Sequence, residues 1–382
     1  MSKKIAFVSN TSWSLWNFRL SLMRALKEKG YEIMAIAPED EYSEKLKKGF
    51  VFYGVKNLNR KGKNPIRDFK LFLEYLGLYR KIRPDLVINF TIKPNIYSSI
   101  AAGFLKIPCM SVVTGLGYVF IERGFIASVV EALYRFAFKF NRFIVFQNRT
   151  DFQELKDIVK DKAFIIPGSG VDTEYFSPFF CKDYFKETQS FVFLYIGRFL
   201  RDKGIFELIF ASERLYKEGK DFCVILLGKE DEGNPASLSK EDLEKIKSYP
   251  FVKVFSFTED VRPYLCSSDC VVLPSSYREG LPRTLLEAMA MEKPIITTEA
   301  PGCRDVCEDG KNGFLVKPKD VESLYLAMKK MLELPEGERE KMGKEGRRLV
   351  QEKFSEEIVI ERYLKLIEKI LGTSYKSCKD LR

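Results

Sequence analysis

Apolar and polar positions along this chain follow one plan many times over. Short apolar runs at residues 5–8, 31–37, 86–90, 109–113 and 143–146 have the length and composition of buried parallel strands, and 164–166 closes the set. Between them, apolar residues recur at helical spacing. A first helix is predicted over about 17–29, with Asn17 as its cap, Leu20, Met23, Leu26 and Lys27 on one face, and Gly30 as its stop. Further helices are predicted from Ile66, over 95–105 and over 125–140. Strand, helix and strand inside the first forty residues make the βαβ unit of a parallel sheet. The rhythm restarts at Phe191, with strands at 191–196, 223–227, 252–255 and 269–273 and helices from Ile205, over 321–334, 338–352 and 356–371. The join is Pro167-Gly168-Ser169-Gly170-Val171-Asp172, whose glycines make a flexible hinge, and residues 376–382 read as a frayed tail.

The most informative stretch is 271–298, VVLPSSYREGLPRTLLEAMAMEKPIITT. It runs from a buried strand through a polar turn into a helix with Pro282 at its first position, where a missing N–H costs nothing, and then into another strand from Ile295. Glu279 precedes the helix and Glu287 lies in its second turn. A helix N-terminus behind a glycine turn offers N–H groups and positive dipole to phosphate oxygens, while carboxylates on either side accept hydrogen bonds from sugar hydroxyls. Phosphate between two hydroxyl-binding acids describes a nucleotide sugar. The plainer alternative is one more amphipathic helix with surface acids.

Glu279-Gly280-Leu281-Pro282 with Glu287, followed by AMAMEKPIITT and Ala300-Pro301-Gly302-Cys303-Arg304, resembles the donor-site signature of glycosyltransferase family 4. The resemblance implies an α/β protein of the GT-B fold, two Rossmann-like domains facing across a cleft. Residues 1–166 would be the acceptor-binding domain and 167–355 the donor domain. Residues 356–382 would be a last helix crossing back to the first domain, plus the tail. It extends to Gly197-Arg198-Phe199-Leu200-Arg201-Asp202-Lys203-Gly204, where the family's matching arginine and lysine clasp the donor diphosphate; an ordinary charged turn is the other reading. Arg198, Lys203 and Glu279 are the catalytic candidates. Glu279 would also hold donor-sugar hydroxyls and Glu287 the ribose diol, while the amides of Gly280 and Leu281, beside Pro282, would aid Lys203 and Arg198 at the diphosphate. Gly197 and Gly228 would face the donor, and Thr258, Glu259 and Val261 would lie against the base. On the acceptor side stand Asn17, Arg19, Thr114 and Gly115. Thr114 occupies the place where many relatives carry a histidine, although the Thr114–Tyr118 glycines fit a tight turn equally. The family's usual glycine pair is missing from the first loop, taken as residues 9–16. Its two tryptophans there form either a wall for sugar or lipid, or core packing.

Composition sharpens this. The chain of 382 residues contains no histidine, which removes the commonest general base. Residues 1–165 hold 28 lysines and arginines against 15 acids, whereas the remainder holds 35 against 38, so the net charge of +10 belongs to the first half. Eight of those bases lie in 60–83, and a second basic and aromatic segment spans 123–142. Such asymmetry points to an anionic partner, a membrane surface or phosphorylated acceptor, with no nucleic-acid module in view. No apolar run reaches the length of a spanning helix and the first residues do not make a signal peptide, so a cytoplasmic protein, peripheral on the inner face of the plasma membrane, is expected. The eight cysteines are expected to be reduced thiols. The spacings Cys266-x3-Cys270 and Cys303-x3-Cys307 raise a zinc site, but Cys270 opens a strand and Cys303 lies in the donor segment, so no metal and no cofactor is expected.

The function expected from these residues is retaining transfer of a sugar, an N-acetylhexosamine or hexose, from a UDP-sugar to a polyprenyl-diphosphate-linked saccharide in bacterial glycan assembly. A family member with a soluble acceptor, a nucleotide-sugar epimerase and a non-catalytic nucleotide-sugar sensor are the alternatives; an epimerase would be expected to use histidine.

Overall fold

A computed structural model describes residues 2–59, 62, 64–116, 125–183 and 190–372. The chain divides into two units, Met1–Ser169 with Glu356–Arg382, and Gly170–Ser355. The first unit runs β1 (Lys4–Val8), α1 (Ser12–Glu28), β2 (Glu32–Ala37), α2 (Ser43–Lys47), β3 (Val51–Gly54), α3 (Pro65–Ile82) and β4 (Leu86–Phe90). A π-helical turn (Pro94–Ser98) then enters α4 (Ser99–Phe104), followed by β5 (Cys109–Val113), α5 (Phe125–Ala137), β6 (Asn141–Phe146), α6 (Arg149–Val159) and β7 (Ala163–Ile165). The seven strands lie in the order β3-β2-β1-β4-β5-β6-β7. Every pairing is parallel, with Val8 opposite Ile36 on one side and Asn89 on the other.

In the second unit, β8 (Phe191–Ile196), α7 (Ile205–Lys217), β9 (Phe222–Gly228), α8 (Lys240–Lys247), β10 (Val252–Ser256) and α9 (Arg262–Ser267) come first. They are followed by β11 (Cys270–Leu273), α10 (Arg283–Ala290), β12 (Ile295–Thr298), β13 (Gly313–Val316), α11 (Val321–Glu333) and α12 (Glu336–Lys353). Its six strands, also all parallel, lie in the order β10-β9-β8-β11-β12-β13. The last helix, α13 (Glu356–Leu371), belongs to the first unit, where Val359, Tyr363, Leu366 and Ile367 share a core with Leu15, Leu22 and Leu26 of α1. Two parallel, doubly wound sheets are two Rossmann-like domains.

The strands form where side chains are apolar on both faces: all five residues of β4, and all of β5, are buried. In each sheet the strand order reverses once, between β1 and β4 and between β8 and β11. Loops diverge there at the carboxyl ends of the strands, which is where such sheets take ligands.

Several expectations need correction. Helix α1 begins at Ser12, capped by Thr11, whose hydroxyl accepts from the Ser14 N–H at 3.1 Å. Asn17 is therefore inside the helix and no cap, the first loop is only residues 9–11, and both tryptophans are helical. Threonine followed by two apolar residues three apart outweighed the asparagine signal. Pro282 is the cap of α10, one place before its first residue. Edge strand β3 was missed although Phe50-Val51-Phe52-Tyr53 is a short apolar run; its residues are exposed or half-buried, as an edge strand's are. The cysteines are not all thiols: Cys181 and Cys266 form a disulfide, their Cα atoms 5.2 Å apart and 85 residues distant in sequence. Such a pairing cannot be read from spacing, because the fold alone brings the two together. Gly117, Arg60, Lys61, Lys63, Arg123 and the 376–382 tail lie outside the described residues. No described helix is long and apolar enough to cross a membrane.

Candidate active site

The second unit gathers the candidates on one edge of its sheet. Gly197–Gly204 follows β8, Asp231 follows β9, Thr258–Val261 follows β10, and Pro274–Pro282 follows β11. Lys203 and Glu279 come from the two strands flanking the reversal and form an ion pair. Their side chains are only 12% and 15% exposed. Ser275 Oγ donates to the same Glu279 oxygen at 3.3 Å, and the Lys203 ammonium lies 5.7 Å from the Tyr277 ring centroid. The backbone fixes this meeting. The Asp202 carbonyl accepts from the Ser276 and Tyr277 N–H groups at 2.8 and 3.2 Å, tying one loop to the other.

Glycines set the clearances. Gly204 has φ +76°, and a Cβ there would fall 2.1 Å from the Pro274 carbonyl oxygen. At Gly228 a Cβ would lie 1.8 Å from the Gly197 carbonyl oxygen, so any side chain would push the ends of β8 and β9 apart. Gly204 and Gly228 thus have a packing reason of their own to be glycine.

Arg198 donates to Asp231, which Asn234 Nδ2 also holds at 3.0 Å, while Tyr195 OH donates to the Arg198 carbonyl at 2.8 Å. On α10, Arg283 Nε donates to Glu287 at 3.0 Å, with Glu287 12% exposed. No side chain caps α10. In the β10 loop, Asp260 accepts from both the Arg262 side chain and its N–H, and Thr258 Oγ1 donates to the Asp260 carbonyl at 3.2 Å. Glu259 is exposed and Val261 caps α9. The arginine's hydrogen bonds hold the Asp260 carboxyl below its ordinary pKa. The charge of Glu279 is felt beneath the site: burial first, and that carboxylate second, push the Cys303 thiol up to about 12. They push the Tyr195 phenol higher still.

The corresponding edge of the first unit is different. Arg19 is buried in α1, its guanidinium 4.4 Å from the Phe90 ring centroid at the end of β4. Asn17 points elsewhere on the helix and donates to the Trp13 carbonyl at 2.9 Å. Thr114 and Gly115 follow β5, with Gly115 at φ +103°. Asn17 and Arg19 lie on different faces of α1, and Thr114 follows β5. Thr91, directly after β4, was not anticipated. It holds φ +72°, a conformation that costs a β-branched residue roughly 1–3 kcal/mol. Its hydroxyl and that of Ser9, directly after β1, are buried without a partner among the described residues. No sequence signal marks a strained threonine.

Comparison with known proteins bears on both units. The family profile "Glycosyl transferases group 1" matches residues 178–349, and "Glycosyl transferase 4-like" matches residues 4–148. The chain belongs to glycosyltransferase family 4. This glycosyltransferase is 28% identical over 383 residues, covering 96% of it and 99% of the relative, to the N,N'-diacetylbacillosaminyl-diphospho-undecaprenol alpha-1,3-N-acetylgalactosaminyltransferase of Campylobacter jejuni. It is 27% identical, over 69% of its length and 70% of the relative, to the UDP-Gal:alpha-D-GlcNAc-diphosphoundecaprenol alpha-1,3-galactosyltransferase of Escherichia coli. Among solved structures it resembles Anabaena HepE in complex with UDP and glucose, with a TM-score of 0.79 at 17% identity over 96% of this chain and 99% of that one. Sucrose-phosphate synthase from Thermosynechococcus elongatus matches with a TM-score of 0.79 at 18% identity, covering 97% and 100%. Those likenesses establish the GT-B fold of two Rossmann-like domains.

Sequence reasoning missed Asp231, which orients Arg198, and the Asp202 carbonyl. It named Gly302 only as part of a motif. In the glycosyltransferase, Gly302 has φ +84°, and a Cβ there would lie 2.6 Å from the Glu279 carbonyl oxygen. Among the described residues no group of three or more His, Cys, Asp or Glu is placed to hold a metal ion.

Proposed function

We propose that this family 4 glycosyltransferase moves a sugar, an N-acetylhexosamine or hexose, from a UDP-sugar to a polyprenyl-diphosphate-linked saccharide. The observation that carries the reading is the Lys203–Glu279 ion pair at the reversal of the second sheet, with Arg198 alongside. On donor binding, Lys203 and Arg198 turn to the diphosphate, and the Gly280 and Leu281 amides at the start of α10 add their dipoles. Fixed positive charge then stands where negative charge develops as the glycosidic bond breaks. Glu279, released from the lysine, takes donor-sugar hydroxyls, and Glu287 the ribose diol. Thr258, Glu259 and Val261 meet the base, while Thr114, Gly115, Asn17 and Arg19 serve the acceptor side. No metal ion enters this assignment.

Retention follows from a same-face displacement. The acceptor oxygen bonds to the anomeric carbon as the bond to the diphosphate breaks, and the acceptor proton passes to the departing phosphate oxygen. A chain without histidine suits this route. The linkage in the names of both curated relatives is α, the outcome of retention from an α-configured donor. Their acceptors are undecaprenol-diphosphate sugars, and the basic first half suits work at an anionic membrane face, peripheral to the cytoplasmic leaflet.

The deciding experiment screens UDP-sugars with a polyprenyl-diphosphate-linked acceptor and measures UDP release, product anomer and the effect of a chelator. Acceptor-dependent release, an α product and chelator resistance are expected. Release that ignores the acceptor, or a pH profile governed by a protein base near pKa 6.5, would overturn the mechanism.

A further inference from the structure

A second cationic site lies on the first unit, at the edge opposite Ser9, Thr91 and Thr114. A pocket of about 350 Å³ opens where the chain enters β5, β6 and β7, lined by Lys106, Lys139, Arg142 and Lys162 together with Gly103 and Phe140. No carboxylate lines it. Lys162 is half-buried and donates to the Phe138 and Lys139 carbonyls at 3.3 and 3.0 Å, closing the end of α5. Burial first lowers the pKa of its ammonium, and the cations of Arg142 and Lys160 add to that, with the Cys109 thiol opposing. The field in the pocket is positive and uncompensated by acids.

Beside the pocket runs a row of phenyl rings. Phe69 contacts Phe72 at 6.1 Å between centroids, Phe72 contacts Phe104 at 5.7 Å, Phe104 contacts Phe140 at 6.3 Å, and Phe140 contacts Phe136 at 5.4 Å. Phe69, Phe104 and Phe136 are 60%, 63% and 45% exposed, well beyond an isolated surface apolar residue. Phe140 joins row and pocket, its ring seated where a Cβ on Gly103 would come within 2.3 Å. The row therefore crosses from α3 over the end of α4 to the end of α5 and stops at four cations.

We propose that this flank lies on an anionic bilayer, with the phenyl rings in the interfacial layer and one lipid phosphate in the Lys106–Lys139–Arg142–Lys162 pocket. The chemistry matches on both counts: phenyl rings have no hydrogen-bonding group to leave unsatisfied in an apolar layer, and a pocket of cations without acids takes a phosphate. A base-stacking surface would present open ring faces, whereas Phe72–Phe104 and Phe136–Phe140 meet edge to face at 65° and 85°. The inference rests on the membrane-surface reading above and adds where and how that surface is held.

The test is vesicle flotation of the full chain with phosphatidylcholine alone and with phosphatidylcholine containing about one-third phosphatidylglycerol. The variants are Lys106→Gln/Lys139→Gln/Arg142→Gln and Phe104→Ser/Phe136→Ser, each with its unfolding midpoint measured to show an intact fold; Lys162 is left alone because it closes α5. The wild type should float with the anionic vesicles. The triple glutamine variant should lose binding by about fivefold per cation removed, and the serine pair should lose it by tenfold or more. Flotation of both variants equal to wild type, with wild type bound, would sink this placement and leave the membrane-surface reading standing. Absence of wild-type flotation on any vesicle would sink both. Binding of inorganic diphosphate or single-stranded RNA that survives the serine changes and displaces vesicles would overturn the lipid assignment in favour of a soluble anion.

Discussion

At the carboxyl edge of the second sheet charges come in pairs, Lys203 with Glu279, Arg198 with Asp231 and Arg283 with Glu287. At the same edge of the first sheet stand the hydroxyls of Ser9 and Thr91, a buried guanidinium over a phenyl ring, and an ion pair of Lys93 with Asp68. The same topology has been finished in two materials. A paired edge holds its cations ready, since each is fixed by a carboxylate until a stronger anion arrives. The edge of the first sheet adds buried hydroxyls without a partner among the described residues and stores strain in one threonine. In the proposed function the paired edge takes the nucleoside diphosphate and the edge of the first sheet takes the sugar acceptor.

The largest effect that would break this contrast is at Lys203. Lys203→Ala should lower turnover about 10²–10³-fold, the usual size of a lost contact to developing charge. It is no solvent-facing lysine, so the variant should also unfold at lower temperature, because the largely buried Glu279 loses the ammonium that neutralises it. Adding Glu279→Gln should restore the midpoint and leave turnover low. Near-normal activity in either variant removes the diphosphate role.

The two glutamates sharpen the picture next. Glu287→Gln should raise KM with kcat little changed, because ribose is held alike in ground and transition states. Glu279→Gln should depress kcat instead, since it touches the ring that distorts. Identical kinetics for both would erase the separate roles.

On the first sheet, Thr91→Gly should leave the unfolding midpoint unchanged or slightly higher, as relief of strain offsets the added freedom of glycine. It should lower turnover several-fold. Full turnover with a lower midpoint would make the strained conformation a matter of packing alone.

The last test concerns the Cys303 thiol, raised first by burial and second by the Glu279 carboxylate. The Cys303 thiol is raised from 9.0 to about 12 in the folded protein. A group raised on folding contributes stability in full below its unfolded value, lost as pH rises toward the folded one. Stability should therefore fall between pH 9 and about 12, and less steeply in Cys303→Ala. Equal slopes would show that the buried thiol does not titrate with unfolding.

Much of this was legible in order along the chain. Strand β4 reads as a strand because Leu86–Phe90 is apolar except at Asn89, and α3, expected from Ile66, begins at Pro65 behind its cap Asn64. The proposed donor residues could be named because a strand, a glycine turn and a helix start are local features, and Lys203, Glu279 and Glu287 sit at fixed places within them. What failed was local competition and distance. Thr11 and Asn17 both carry cap chemistry, and only packing of Leu15, Leu22 and Leu26 decides between them. The edge strand β3 was overlooked although Phe50–Tyr53 is apolar.

By itself, then, the sequence determined two parallel sheets, the order of their elements, the basic first half and the residue types at the donor edge, because periodicity, composition and turn chemistry act between near neighbours. Only the tertiary structure decided the partnerships: Lys203 with Glu279 across 76 residues, Cys181 with Cys266 across 85, and Phe104 with Phe140 beside a pocket assembled from three strand entries. Hydrophobic burial fixes which strands are neighbours, and strand order then brings together groups that no spacing along the chain records.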